Sequence, residues 1–404
     1  MTSVDINLLL PFSRASLAND DQVFADLCSI YVGAIYERLQ EAISKTTYEF
    51  AYLADPLVSE LVDSIGTKGW SPEFGHVNKL LRREEPSILS ACTQFFLVLV
   101  SHGYSGEMEI ELPIQDTLYF NKYRMNCHGK LLLKAGDGTL NLRSADYNYD
   151  FEKKGSLWTC PEIPDDKFVI IDEKKIYVST GYEIDPELLY YSEQALSYAD
   201  APAALSRLQE AFNCISNSSK DYRNWTKRLL HHVGLVAPVQ NCNLVSKSLP
   251  SRPGAILATS PIGVTDLAEQ LVHECSHQYY HLAALMIDFV REGEDASFYS
   301  PLMKRERSIE RILVGFHAFA NVFLFFDEML EKKSEYEQVV LERMKDLAPA
   351  NWQLVSTLIE NSFRLTDQAN ALWHPLEKDL LDLYRKYELP QEVDVSKVTW
   401  GIPT

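Results

Sequence analysis

The chain has 404 residues, a hydrophobic content of 46% and a charged content of 24%, a composition typical of a globular protein with a substantial core. Its net charge of −19 lacks the basic face that nucleic acid or an anionic membrane requires, so we expect neither as a partner. Seven cysteines without a CxxC pair, and an N-terminal stretch unlike a secretory signal, predict reduced thiols and a cytoplasmic protein.

Helical and β-rich stretches alternate along the chain, which predicts an α+β fold. Residues 1–106 are helical in pattern, and the apolar run 88–100 predicts a buried helix that is too short to span a membrane. Residues 107–185 are β-rich, and residues 186–250 return to a helical pattern that reaches residue 235. The predicted strands are 109–112, 130–134, 139–142, 167–171 and 175–179.

The last region, residues 251–404, is predicted to bind a metal and to carry the catalytic machinery. A short apolar strand at 253–259 precedes the HECSH sequence at 273–277, and helices follow from residue 308 to about 387. The HECSH sequence is an HExxH pattern, which forms a metal site when it lies on a helix. The apolar residues on both sides of it have helical spacing.

The two histidines of the motif can share one metal ion. At about 3.6 residues per turn, His273 and His277 lie on one face of a helix and can hold the ion between their imidazoles. Glu274 then projects beside the metal, within reach of a bound water or of a ligand histidine. Asp266 and Glu269 have the spacing of a capping box that would begin the helix.

A third protein ligand is expected from the next predicted helix, residues 305–319. Arg307, Glu310, Val314 and His317 fall on one stripe of that helix. His317 lies among phenylalanines and is the first candidate for the third ligand, although a buried histidine can equally be a hydrogen-bonded core residue. Glu310 is the second candidate for the third ligand. Its alternative role is an ordinary ion pair on the protein surface.

Four short runs accompany the motif. They are Pro-Gly-Ala-Ile-Leu at 253–257, the segment 267–277 that contains the motif, Tyr-Ser-Pro at 299–301 followed by Arg305 and Arg307, and Gly-Phe-His-Ala-Phe at 315–319. Together they resemble the HExxH-motif proteins that are encoded beside ribosomal peptide precursors. The resemblance covers roughly residues 252–328 and implies an iron and 2-oxoglutarate dependent peptide β-hydroxylase.

This resemblance implies a set of cofactors and a substrate. Fe(II) would be bound by His273, His277 and a third ligand, which leaves adjacent positions for 2-oxoglutarate and dioxygen. The distal carboxylate of 2-oxoglutarate needs a cation, and Arg307 is the first choice, before Arg305. Glu274 would orient a ligand or the substrate amide. The substrate would be a ribosomally made precursor peptide.

The strand at 253–259 gives that peptide a place to bind. If this strand is an exposed edge, it can hold an extended peptide by strand addition. A zinc metallopeptidase remains the alternative, with Glu274 as the general base that activates a metal-bound water. Glu310 or Glu306 would then be its third ligand. The sequence does not separate iron from zinc, because both metals accept this ligand set.

Overall fold

A computed structural model describes residues 6–18, 21–83, 87–121, 123–155, 157–161, 168–180, 201–237, 246–260, 262–333 and 335–391. These residues form an α+β fold of helices and sheets with a β-rich middle segment, which confirms the predicted class. The chain divides into two compact units. Unit 1 comprises Met1–Asp21, Phe168–Leu249 and Ala255–Thr404, and unit 2 comprises Gln22–Lys167 and Pro250–Gly254.

The helices of the described residues lie in both units. In chain order they are α1 (Leu10–Ser13), α2 (Asp21–Ser44), α3 (Pro56–Ser64), α4 (Pro72–Leu81), α5 (Ile88–Ser101), α6 (Ala201–Ser218), α7 (Lys220–Leu229), α8 (Val264–Ala283), α9 (Ile309–Glu331), α10 (Glu337–Asn361) and α11 (Asp367–Lys386). Asp55, Ser219 and Thr366 cap α3, α7 and α11, where each side chain accepts a hydrogen bond from a backbone N–H of the first turn.

The strands form two larger sheets and one hairpin. In chain order they are β1 (Gly106–Phe120), β2 (Tyr123–Gly136), β3 (Thr139–Arg143), β4 (Asn148–Lys154), β5 (Leu157–Thr159), β6 (Phe168–Ile171), β7 (Lys174–Thr180), β8 (His232–Val236), β9 (Lys247–Ser248), β10 (Ala255–Thr259), β11 (Ser297–Ser300) and β12 (Arg305–Ser308). All five predicted strands of the β-rich region are confirmed, although residue 167 lies outside the described residues.

Unit 2 contains an antiparallel sheet in the order β1-β2-β3-β4-β5. Exposed and buried residues alternate along β1 and β2, so one face of the sheet is solvated and the other is packed. The turn between β2 and β3 uses Asp137 at φ 52° and Gly138 at φ 73°, the left-handed conformation that tight hairpins need. The predicted helix at 88–100 is α5, and its interior is buried.

Unit 1 is built on a mixed sheet in the order β6-β7-β8-β10-β9. The pairs β7–β8 and β8–β10 are parallel, whereas β6–β7 and β10–β9 are antiparallel. Every residue of β10 is buried, and the strand pairs with β8 on one side and with β9 on the other. The expectation that residues 253–259 form an exposed edge strand is therefore wrong. Among the described residues, the two-residue strand β9 lies at that edge.

The helical pattern predicted for residues 186–235 is correct for α6 and α7 but wrong for β8. Val233, Leu235 and Val236 in β8 are fully buried between β7 and β10. A strand that is buried on both faces has no alternation of polar residues, so periodicity does not distinguish it from a buried helix. Residues 186–200 of that prediction lie outside the described residues.

One helix of the described residues, Ile309–Glu331, is long and apolar enough to cross a membrane by length and composition. Of its apolar window, 78% is buried inside the fold, as in the core helix of a protein without membrane spans. The fold is thus compatible with a soluble protein. The division into the four regions 1–106, 107–185, 186–250 and 251–404 remains a prediction from the sequence.

Candidate metal centre

Helix α8 carries the HExxH motif, as the sequence predicts, but begins differently. Its N-cap is Gly263, and no side chain caps it. The predicted capping box of Asp266 and Glu269 is therefore wrong. The Glu269 side chain is fully buried and instead accepts hydrogen bonds from Nε and Nη2 of Arg343 on α10, at 2.8 and 3.0 Å. This ion pair attaches the first half of the motif helix to α10.

The motif residues come together one turn further along α8. The ring centroids of His273 and His277 are 4.7 Å apart. One potential ligand atom from each of His273, Glu274 and His277 lies within 4.8 Å of the other two. Among the described residues this is the one group of three such side chains that could hold a metal ion. The prediction that the motif forms a compact cluster on one helix is confirmed.

Burial keeps both histidines neutral, which is the form that binds a metal. Desolvation lowers the pKa of His273 to about 3, and the nearby His317 lowers it further. Desolvation also lowers the pKa of His277 well below its usual value, with smaller contributions from His273, His281 and His317. The Nδ1 atom of His277 is buried and has no hydrogen-bond partner among the described residues. Each neutral imidazole can therefore donate a nitrogen lone pair to a metal cation.

Glu274 is buried with only part of its hydrogen-bonding capacity used. Ser246 Oγ donates a hydrogen bond to Oε1 of Glu274 at 2.6 Å, whereas Oε2 is buried and has no partner within the described part of the chain. Burial raises the pKa of Glu274 to about 7, although the hydrogen bond from Ser246 and the charge of Lys247 oppose the rise. A carboxyl group with this pKa can gain or lose a proton near neutral pH.

The residues that face Glu274 belong to the edge of the unit 1 sheet. Ser246 immediately precedes β9, and Lys247 lies in it. β9 pairs with β10 through Lys247 and Ser248, and it ends the strand order given by the described residues. The edge next to the motif helix is thus formed by β9 and not, as predicted, by the strand at 253–259.

His317 is fully buried on α9, as predicted, but it lies outside the 4.8 Å cluster. Its Nε2 is 2.8 Å from the carbonyl oxygen of Phe12, and its Nδ1 is buried without a hydrogen-bond partner among the described residues. Burial lowers its pKa to about 4. Glu310, half-buried in the first turn of α9, also lies outside the cluster. The role of either residue as third ligand remains a prediction.

The two arginines predicted to bind the cosubstrate are not on a helix. Arg305 and Arg307 lie in β12, which forms a hairpin with β11, and α9 begins only at Ile309. The single helix predicted for residues 305–319 is therefore wrong at its start, and Arg307 does not share the stripe of His317. Arg305 is exposed and Arg307 is half-buried, opposite Phe298 in the hairpin register.

Arg311 is a candidate that the sequence reasoning missed. It lies in the first turn of α9, is exposed, and forms no ion pair within the part of the chain that the structure describes. Its positive charge contributes to lowering the pKa of His277 and of His281. No local pattern could have indicated it, because Arg311 is six residues before His317 and therefore does not share its stripe on α9.

The side chains of this cluster fit a divalent transition metal. Two neutral imidazoles and a carboxylate are ligands that both Fe(II) and Zn(II) accept. Unpartnered buried atoms on His277 and Glu274 are the kind of polar groups that a bound cation satisfies. Six cysteines of the described residues are buried free thiols, and Cys275 within the motif is among them. Among the described residues, the candidate metal group contains no cysteine, so it differs from a closed four-ligand zinc site rich in cysteine.

No protein-family model matches this chain, and no curated protein matches its sequence. The function is therefore inferred from the chemistry and the geometry of the site.

Proposed function

We propose that the protein is a metal-dependent enzyme that modifies a peptide, and that it hydroxylates a side chain with Fe(II), 2-oxoglutarate and dioxygen. The observation that carries the proposal is the cluster on α8 of the buried His273 and Glu274 with the half-buried His277, in which desolvation keeps both histidines neutral. Ferrous iron with 2-oxoglutarate and dioxygen would place one oxygen atom in a C–H bond and the other in succinate, with loss of carbon dioxide.

The side chains of this chain would hold and orient the reactants. His273 and His277 would bind the metal, with His317 as third ligand. Among the three candidate cations, we favour Arg311 for the distal carboxylate of 2-oxoglutarate, because its charge acts on His277. Arg307 and Arg305 remain the alternatives.

The edge strand β9 would hold the substrate as an extended peptide. Ser246, beside this strand, donates a hydrogen bond to Glu274, so the strand edge lies next to the motif. Among the described residues β9 is the last strand of its sheet, and an edge strand can pair through its backbone with an extended chain of any sequence. A ribosomally made precursor peptide is the substrate class we propose, and the free thiols of the described cysteines support a cytoplasmic location.

One observation favours a zinc metallopeptidase as the second candidate. Burial raises the pKa of Glu274 to about 7, which suits a general base that takes a proton from a metal-bound water at neutral pH. In that enzyme Glu274→Gln would lower the rate by several orders of magnitude. In a hydroxylase, whose oxidant comes from dioxygen, the same substitution would cost less.

The experiment that separates the two candidates uses both metals. The metal-free protein is loaded with Fe(II) or with Zn(II) and incubated with a library of extended synthetic peptides, 2-oxoglutarate, ascorbate and air. Succinate formation with a mass gain of about 16 Da on a peptide, in Fe(II) only, supports hydroxylation. Cleaved peptides in Zn(II), with no succinate in Fe(II), would overturn it in favour of the peptidase.

A further inference from the structure

The N-terminal helix α1 is attached to α9 through two consecutive backbone carbonyls. His317 Nε2 lies 2.8 Å from the oxygen of Phe12, and Asn321 Nδ2 donates to the oxygen of Ser13 at 3.0 Å. His317 and Asn321 are one turn apart on α9, and both are fully buried. A carbonyl oxygen only accepts hydrogen bonds, so the ring nitrogen that faces it carries the proton. The Phe12 carbonyl thus selects the His317 tautomer that is protonated on Nε2.

The other ring nitrogen of His317 is left as an acceptor. In this tautomer Nδ1 has a lone pair and no proton. It is buried and has no hydrogen-bond partner among the described residues. A buried acceptor without a partner is destabilising, unless a cation meets its lone pair.

The surroundings of His317 belong to the motif helix. Its ring centroid is 5.9 Å from that of Tyr280, and the ring of Phe319, two residues further along α9, is 4.6 Å from His273. A positive charge on His317 would oppose protonation of both His273 and His277. The buried lone pair is therefore in the neighbourhood of the proposed metal ligands.

We propose that the Phe12 carbonyl is part of the metal centre, because it orients His317 to bind the metal through Nδ1. The proposal rests on the proposed metal-dependent function. Histidine ligands commonly donate their second N–H to a backbone carbonyl, which fixes the ring and raises its basicity. Phe12 is a positioning residue in this arrangement and does not contact the metal.

Metal binding would move the His317 ring and stabilise the docking of α1. His317 lies outside the 4.8 Å cluster, so its ring must approach His273 and His277 when the metal binds while it keeps its bond to Phe12. Phe12 and His317 are 305 residues apart in the chain, so the metal would connect α1 to the motif through α9. Docking of α1 and binding of the metal should then stabilise each other.

The first test observes the tautomer directly. In the full-length protein labelled with 15N-histidine, long-range 15N–1H spectra distinguish the two neutral tautomers, and the His317→Gln variant identifies the signal. We expect the Nε2–H tautomer without metal, and a large shift of the Nδ1 signal with one equivalent of Zn(II). An Nδ1–H tautomer, or an Nδ1 signal that Zn(II) leaves unchanged, would overturn the proposal.

The second test loosens α1 without changing a proposed ligand. Tyr222 donates a hydrogen bond to Oδ1 of Asn321, so Tyr222→Phe is the matched background. Adding Asn321→Leu to it removes the donor to the Ser13 carbonyl, and we expect Zn(II) affinity to fall at least tenfold relative to Tyr222→Phe. Equal Zn(II) affinity of two folded variants would contradict the proposal, and if the double variant does not fold, the tautomer spectrum decides.

These tests are separable from the test of the proposed function. If His317 binds Zn(II) through Nδ1 but no peptide is hydroxylated, only the proposed reaction fails. If succinate and hydroxylated peptide form while His317 carries its proton on Nδ1, the reaction stands and the role of Phe12 is wrong.

Discussion

Each half of helix α8 contains a buried glutamate, and the two carboxylates have different hydrogen-bond partners. Glu269 is fully buried and accepts two hydrogen bonds from the Arg343 guanidinium. Glu274 is 2% exposed, accepts one hydrogen bond from the neutral Ser246, and keeps Oε2 without a partner among the described residues. The first carboxylate is satisfied by its partner and holds two helices together. The Glu274 carboxylate can still bind a proton or a metal ion through Oε2.

The same contrast appears in the pKa values. Burial raises the pKa of Glu269, and the charge of Arg343 opposes the rise, so that a cation is already in place. Burial raises the pKa of Glu274 to about 7, opposed by the hydroxyls of Ser246 and Ser248 and by the charge of Lys247, so no single cation balances it as Arg343 does for Glu269. An unbalanced buried group costs stability and persists where the site requires it. This difference separates a structural half of the helix from a candidate catalytic half.

The largest effect is expected from the histidines of the candidate catalytic half. His273→Ala or His277→Ala should lower Zn(II) or Fe(II) affinity by at least about a hundredfold while the fold is retained, because only one imidazole of the HExxH motif is left. Metal content after dialysis measures the effect, and His281→Ala is the control on the same helix face. Stoichiometric metal in His273→Ala would show that the ligands are elsewhere.

Substitutions that affect Glu269, in the structural half of α8, should change the stability of the protein and not its affinity for metal. Arg343→Ala leaves the fully buried Glu269 without its partner, which should lower the free energy of unfolding by about 3 to 5 kcal/mol. Urea denaturation of the metal-free protein measures the change. Replacing both residues, with Glu269→Leu and Arg343→Met, should recover most of it. A loss below about 1 kcal/mol in Arg343→Ala would mean that the ion pair contributes little.

The candidate catalytic half should make stability depend on pH through Glu274. Its folded pKa of about 7 lies above the usual 4.5, so the folded state binds the proton more tightly than the unfolded state. The contribution of Glu274 to stability is fully present below pH 4.5 and is lost as pH rises towards 7. Relative to Glu274→Gln, the metal-free protein should lose roughly 2 to 4 kcal/mol over this window. Parallel urea denaturation curves for the two proteins from pH 4.5 to 8 would contradict this.

A smaller effect is expected from the cations around the site. If Arg311 binds the distal carboxylate of 2-oxoglutarate, Arg311→Leu should raise the dissociation constant about tenfold, or about 1.4 kcal/mol. Calorimetric titration of the Zn(II)-loaded protein avoids turnover. Lys332→Leu, an exposed cation at the other end of α9, is the control. A larger loss in Arg307→Leu than in Arg311→Leu would restore the choice made from the sequence.

How much of the site could be predicted depends on the distance between its parts in the chain. His273, Glu274 and His277 are neighbours on one helix, so 3.6-residue periodicity suffices to bring them together. Ser246 approaches Glu274 only because β9 pairs with β10, and no local pattern encodes that pairing. Likewise, the Phe12 carbonyl meets His317 across 305 residues, and a backbone group has no signature in the sequence.

The fold shows the same limit. Alternation and turn residues predict the strands of unit 2, because one face of that sheet is solvated. β8 is buried on both faces, so its apolar residues carry no period that separates strand from helix. Helical spacing predicts a helix from residue 305, which is four residues before the true start of α9. Residues 305–308 instead form a strand of a hairpin. At β8 and at residues 305–308, pairing with other strands determines the structure.

The smallest effect is expected at Ser246, which gives Glu274 its one hydrogen bond from a side-chain hydroxyl at 2.6 Å. That bond favours the ionised carboxylate, so Ser246→Ala should raise the pKa of Glu274 further and lower stability above neutral pH by about 1 kcal/mol. Below pH 4.5, where Glu274 is protonated in both states, the two proteins should differ less. Ser246→Thr keeps the hydroxyl and is the control. If Ser246→Ala leaves the pH dependence unchanged, the Ser246 hydroxyl has no part in setting the proton affinity of Glu274.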